Sequence, residues 1–136
     1  MITQKYINDL AYDLIGCAIE VHKQLGPGLL ESIYEECFCE EIKSKQLNFV
    51  RQVKIPVTYK NRGLDIDLRL DVMVEGLVIC ELKAIECMLP VHHAQVLSYM
   101  KLLQIPKGLL INFHTDNIVK NYKPFVNEYF ALLPEK

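Results

Sequence analysis

The stretch RLDVMVEGLVICELKA, residues 69–84, constrains the fold of this chain more than any other. Val72 and Val74 alternate with Asp71, Met73 and Glu75. After Glu75-Gly76, Val78, Cys80 and Leu82 alternate with Ile79, Glu81 and Lys83. Side chains alternate across a strand, so this period predicts two short strands joined by a tight turn, with one face buried. The turn folds Asp71 back opposite residues 80–81, and alternation places Glu81 and Lys83 on one face. Two carboxylates and a lysine then converge at the edge of an otherwise apolar hairpin. Neighbouring carboxylates repel unless a cation or a shared proton neutralises them. Hard divalent cations such as magnesium favour such oxygens.

Two helices are predicted ahead of this hairpin. Residues 4–25 carry Ile7, Leu10, Ala11, Leu14, Ile15, Ala18, Ile19, His22 and Leu25 at three-and-four spacing, the stripe of a long amphipathic helix. Gly26-Pro27-Gly28 stops it. His22 reads either as a hydrogen-bonded core histidine or as a catalytic one. A second helix over about 29–45 puts Leu30, Tyr34, Phe38, Glu41 and Ile42 on one arc, with Glu31 inside that arc. An inward carboxylate needs a partner, a proton or a metal. Alternatively, Glu31 in the first turn complements the helix dipole. Glu35, Glu36, Glu40 and Glu41 read as a solvated acidic face.

Alternation from Phe49 to Lys60, a turn at Asn61-Arg62-Gly63, and further alternation from Leu64 to Val74 predict a three-strand meander over 49–60, 64–75 and 77–84. Pro56 suits an edge strand. On the long middle strand Asp65 and Asp67 share a face with Asp71, as rival ligands or solvated acids. Residues 91–104 form a helix with His92, Gln95 and Tyr99 on one side. Residues 109–113 form a buried strand placed beside the motif strand. Residues 117–133 fit a final strand or a helix, and Lys120, Tyr122, Lys123 and Phe125 make a small basic-aromatic cluster.

At 136 residues the chain is expected to be a single domain spanning 1–136, with one α/β order, α-α-β-β-β-α-β. No apolar run approaches the roughly 20 residues of a membrane span, and MITQKYINDL lacks a signal-peptide pattern. A cytoplasmic protein without a membrane partner is the expectation. The five cysteines contain no CxxC pair and read as reduced and mostly buried. A net charge of −2 argues against tight, non-specific nucleic-acid binding through phosphate neutralisation.

Asp71 followed by Glu81-Leu82-Lys83 resembles the PD-(D/E)XK nuclease superfamily. Gly28, Glu31 and Tyr34 spell GxxExxY, and with LGPGLLESIYE, GLLINF, Gln95 and Tyr99 they make the chain similar to the small GxxExxY family of that superfamily. The resemblance covers about residues 10–120. It implies a restriction-endonuclease-like core, a mixed β-sheet flanked by helices. It also implies a metal-dependent nuclease in which Asp71, Glu81 and the Leu82 carbonyl hold Mg2+ or Mn2+, with Glu31 completing the shell directly or through water. Lys83 orients the attacking water or stabilises the transition state. Gln95 and Tyr99 position the DNA or RNA strand, or else Tyr99 is core packing and Gln95 a surface amide. The superfamily's proline before the first acid is absent, since Leu70 stands there, and substrate choice in so short a chain points to a homodimer, a partner protein or a local preference. Two other readings compete. One is a catalytically silent nuclease-fold interaction module, and the other a structural ion-pair network at Asp71, Glu81 and Lys83.

Overall fold

A computed structural model describes residues 1–136. Helix α1, Gln4–Leu25, begins where the Thr3 side chain accepts a hydrogen bond from the Tyr6 N–H at 3.0 Å, and ends at Gly26. It buries Ile7, Leu10, Ala11, Leu14, Cys17, Ala18 and Val21. The predicted stripe is rotated slightly, so that Ile19 and Leu25 are exposed while Cys17 and Val21 pack inward. Helix α2, Glu31–Ser44, buries Tyr34, Glu35, Phe38, Cys39 and Ile42.

A five-stranded sheet lies beneath them. Its strands are β1 (Phe49–Lys54), β4 (Arg69–Val74), β5 (Val78–Lys83), β6 (Lys107–Asn112) and β7 (Tyr122–Val126), side by side in that order. β4 and β5 form the predicted hairpin, with Glu75 (φ 55°) and Gly76 (φ 65°) in the left-handed region that a tight two-residue turn requires. β5 pairs in parallel with β6, and the crossover between them contains helix α3, Pro90–Leu103. All other neighbours are antiparallel. Beyond β6 the chain holds both elements that residues 117–133 allowed, β7 and a short helix α4, Glu128–Ala131.

The sheet is covered on both faces, unlike the one-faced sheet expected from alternation. α1 and α2 cover one face over a cluster of 20 buried residues that includes Val72, Val74, Val78, Cys80, Leu82, Leu109 and Ile111. α3 covers the other over 7 residues: Ile55, Leu70, Ile79, Val96, Met100, Ile105 and Leu110. Central strands buried on both faces become continuously apolar, which is why β6 is buried throughout. α3 lies close to β6 because Gly108 lacks a Cβ. A Cβ there would stand 2.7 Å from Met100 Sδ and from Val96 Cγ1.

The predicted long strand over 64–75 is not formed. β1 stops at Lys54, and Pro56, which has no N–H to donate, breaks the ladder. The chain then makes a separate two-stranded hairpin, β2 (Val57–Tyr59) with β3 (Arg62–Leu64), before entering the sheet at Arg69. Leu64 and Ile66 keep the alternation of a strand, yet both are exposed. Asp65 and Asp67 therefore share no strand face with Asp71. Asp67 pairs with Arg69 Nε at 2.7 Å, and Asp65 lies 4.0 Å from Lys54 Nζ.

Candidate functional site

The β4–β5 ladder runs from Val74↔Val78 to Val72↔Cys80 and goes no further. At the next position side chains replace main chain. The Asp71 N–H donates to Glu81 Oε1 at 2.9 Å, and the Leu82 N–H donates to Asp71 Oδ2 at 2.8 Å. This exchange holds the strands together while setting two carboxylates against each other. Leu70 also leaves the face of Val72 and Val74 and joins the α3-side cluster, so the strand turns at Asp71.

The electrostatics follow from that geometry. Burial raises the pKa of Asp71, and the Leu82 N–H, the Lys83 charge and Gln52 oppose the rise. Burial, then the charge of Asp71, pushes Glu81 up to about 7. Lys83 lowers both acids, and Glu31 raises both. Glu81 is 5% exposed, and only its Oε1 is engaged by the protein.

Glu31 corrects one expectation. Its direction on the helix is that of Glu35 and Phe38, but as the first residue of α2 it lies past the cover of the sheet and is exposed. It still reaches the end of β5, where its Oε2 accepts from the Ala84 N–H at 3.4 Å. The other two motif residues explain how. Gly28 (φ 102°) lets the chain reverse between α1 and α2. The Tyr34 hydroxyl donates to Gly26 O at 2.6 Å and accepts from the Leu29 N–H at 3.2 Å, while its ring stacks on Phe113 at 4.6 Å. GxxExxY thus acts locally as a clamp that presents Glu31.

On α3, Tyr99 is half-buried, and its hydroxyl pKa is raised by burial and then by the charges of Glu81 and Asp71. It therefore faces the two acids. Gln95, one turn earlier, is also half-buried and makes no hydrogen bond to the protein. Leu82, the expected carbonyl donor, sits between Glu81 and Lys83 with its side chain in the larger core. The two histidines singled out on helices are structural. His22 Nε2 lies 2.6 Å from Thr115 O, and His92 Nδ1 accepts from the Leu89 N–H at 2.9 Å, capping α3.

A second group of residues adjoins the acids and escaped the sequence pattern. Glu35, expected on a solvated face, is 7% exposed. Arg51 grips its Oε2 with Nε at 3.0 Å and Nη2 at 2.9 Å, and Gln52 Nε2 donates to its Oε1 at 2.8 Å. The same Gln52 amide stands 3.5 Å from Asp71 Oδ1, and its backbone is left-handed (φ 49°). The available signal is the polar pair Arg51-Gln52, which interrupts the alternation of β1.

No group of three or more His, Cys, Asp or Glu side chains is arranged to hold a metal ion in common. The donor chemistry at Asp71 and Glu81 nevertheless fits a hard cation. Magnesium commonly binds through one or two carboxylates and keeps several waters. A carboxyl near pKa 7 beside a second acid is a site where a cation replaces a proton. The largest cavity, about 340 Å3, lies elsewhere, between α1 and β7. No helix is long and apolar enough to cross a membrane.

Comparison with known proteins agrees with the core motif. No curated protein and no solved structure matches the chain. A family model described as PD-(D/E)XK nuclease superfamily matches residues 8–125, a span that contains both acids, Lys83, Glu31 and α3. On that match, carried by a mixed sheet flanked by helices, the chain belongs to the PD-(D/E)XK nuclease superfamily.

Proposed function

We propose that this chain is a single-domain, cytoplasmic, divalent-metal-dependent nuclease of the GxxExxY type, hydrolysing phosphodiester bonds of DNA or RNA. The observation that carries the reading is the buried Asp71–Glu81 pair, whose mutual repulsion pushes Glu81 up to about 7 with Lys83 beside it. Asp71, Glu81 and the Leu82 carbonyl would hold Mg2+ or Mn2+, with Glu31 contributing through water from its exposed position. When bound, such an ion polarises a phosphate oxygen and acidifies a coordinated water.

The remaining roles belong to the chain. Lys83 follows Glu81 by two residues on β5, so its ammonium shares the acids' face and stabilises charge on the attacked phosphate. Tyr99 and Gln95 offer a hydroxyl and an amide on the α3 side for orienting the strand. Tyr34 and Gly28 keep Glu31 at the end of β5. Substrate choice would come from a homodimer, a partner protein or a local preference.

The test is cutting of labelled single- and double-stranded DNA and RNA with magnesium or manganese, comparing the unmutated chain with Lys83→Ala. Metal-dependent cutting that disappears in the variant supports the enzyme. The net charge of −2 favours a second reading, a silent nuclease-fold module acting with a partner protein. Saturable magnesium or manganese binding abolished by Asp71→Ala separates the two, since the module has no need of it.

A further inference from the structure

The β2–β3 hairpin is the one sheet element that stands apart from the five-stranded sheet, paired only with itself. A two-stranded hairpin of three residues per strand has little stability of its own in water. Its root is secured instead. Ile55 is fully buried among the α3-side residues, and its N–H donates to Leu68 O at 2.7 Å. From that root to the tip the side chains are exposed, apart from the half-buried Val57. The tip turns through Lys60 (φ 50°) and Asn61 (φ 64°), a tight two-residue connection.

Position and charge give this arm a use. β4 runs antiparallel to β5, so the end of β4 where the arm joins lies beside the Lys83 end of β5. The arm therefore rises from the same end of the sheet as Asp71, Glu81 and Lys83. Four cations belong to the arm and its root. Lys54 and Arg69 have acidic partners in Asp65 and Asp67, whereas Lys60 and Arg62 pair with no carboxylate. Tyr59, 63% exposed, stands between the strands' polar residues with Lys60 Nζ 5.5 Å from its ring centroid. An exposed aromatic ring flanked by unpaired cations is the surface that recognises an unpaired nucleic-acid strand. The ring stacks on a base and the cations meet phosphates. In a chain of net charge −2, such contact must be local, and the arm supplies it where the carboxylates do not.

We propose that the β2–β3 arm is a clamp for single-stranded nucleic acid, with Tyr59 stacking on an unpaired base and Lys60 and Arg62 holding the adjacent phosphates so that the strand runs to the Asp71–Glu81 site. The proposal rests on the nuclease reading and extends it to a preference for unpaired over paired strands.

The test is binding, measured by fluorescence anisotropy of labelled single-stranded and duplex oligonucleotides in magnesium. The parent is Lys83→Ala, which retains the arm without cutting. Added to it, Tyr59→Ala is expected to weaken single-strand binding roughly tenfold and duplex binding far less. Lys60→Gln with Arg62→Gln is expected to make log affinity less steep in log salt by about 1.4, or about 0.7 per phosphate released. Because the arm packs on nothing beyond its root, these variants should keep the parent's thermal melt. Single-strand affinity and salt slope equal to the parent's, while the unmutated chain still cuts, would overturn the clamp and leave the nuclease intact. Equal losses on duplex and single strand would overturn the stacking on an unpaired base. A parent that binds no oligonucleotide, with an unmutated chain that cuts none, removes the nuclease reading and the clamp with it.

Discussion

Two buried carboxylates lie on either side of Gln52, and the fold treats them in opposite ways. Glu35 is gripped by the Arg51 guanidinium through two hydrogen bonds and by the Gln52 amide through a third. Glu81 is equally buried, yet it is placed against Asp71, with one oxygen on a main-chain N–H and the other left without a protein partner. A fold that can neutralise one acid so fully has no structural need to leave the other uncompensated. Burying a charge without a partner is costly, and the cost is tolerated where a ligand is to supply the missing charge. Glu35 is therefore a structural acid, and Glu81 a functional one.

The largest effect should appear where that contrast is removed. Glu81→Gln keeps the shape but takes away a charge, so metal-dependent cutting should fall on the order of a thousandfold. Its stability should not fall, because the amide no longer repels Asp71. Single-turnover cutting beside a denaturant melt checks both. A variant that cuts normally would place the chemistry away from Glu81.

A pH profile sharpens the same point. The ordinary value for Glu81 is 4.5, and in the fold it rises to about 7, so between these pH values the folded chain holds more proton than the unfolded one. Stability must then decline as pH rises through that window, by roughly 3 kcal/mol for this group. Asp71, also raised by burial, acts in the same direction. Without metal, the melting temperature of the unmutated chain relative to Glu81→Gln should drop from pH 4.5 to pH 7. Added magnesium should reduce the drop. A difference that stays flat across the window would mean that Glu81 is not set against Asp71 as the geometry has it.

Glu35 should answer in the reverse sense. Glu35→Gln leaves Arg51 facing a neutral amide, and because Arg51 is partly exposed and also reaches Glu36 at 2.6 Å, the loss is modest, about 2 kcal/mol. Cutting should stay within a few-fold of the unmutated chain. If Glu35→Gln abolished cutting while leaving the melt unchanged, the division between structural and functional acid would be wrong.

This division also marks how far the sequence could be read. Asp71, Glu81 and Lys83 sit on one hairpin whose turn and alternation fix their register locally, so their meeting was legible from residues 69–84. Glu35 meets Arg51 across 16 positions, and no local period reports such a contact. Glu35 was further hidden among Glu36, Glu40 and Glu41, where an acidic run suggests solvent. Leu64 and Ile66 misled for the converse reason. Alternation records which side of an extended chain a residue faces, not whether a neighbouring strand is there to pair with. Pro56 was the visible warning, since the ladder breaks beside it. Glu31 shows a third limit, because the helical arc gave its direction while its exposure depends on where the sheet ends.

The smallest and most selective probe is Gln52, the residue between the two acids. Its left-handed backbone at φ 49° is unfavourable for a side chain with a Cβ, and its amide spans Glu35 at 2.8 Å and Asp71 at 3.5 Å. Gln52→Ala keeps the strain and loses the amide, so it should cost about 1 kcal/mol. Gln52→Gly loses the same amide but relieves the backbone, and should recover most of that loss. Both variants free Asp71 to the same extent, so both should change magnesium affinity equally and by only about twofold to threefold, since the 3.5 Å contact is weak. Urea melts and a magnesium titration separate the two contributions. Equal stabilities for the alanine and glycine variants would show that the strand is not strained at Gln52. A loss of magnesium binding as deep as that expected of Asp71→Ala would make Gln52 part of the acid pair's own site, rather than the hinge between an acid the fold neutralises and an acid it leaves for a cation.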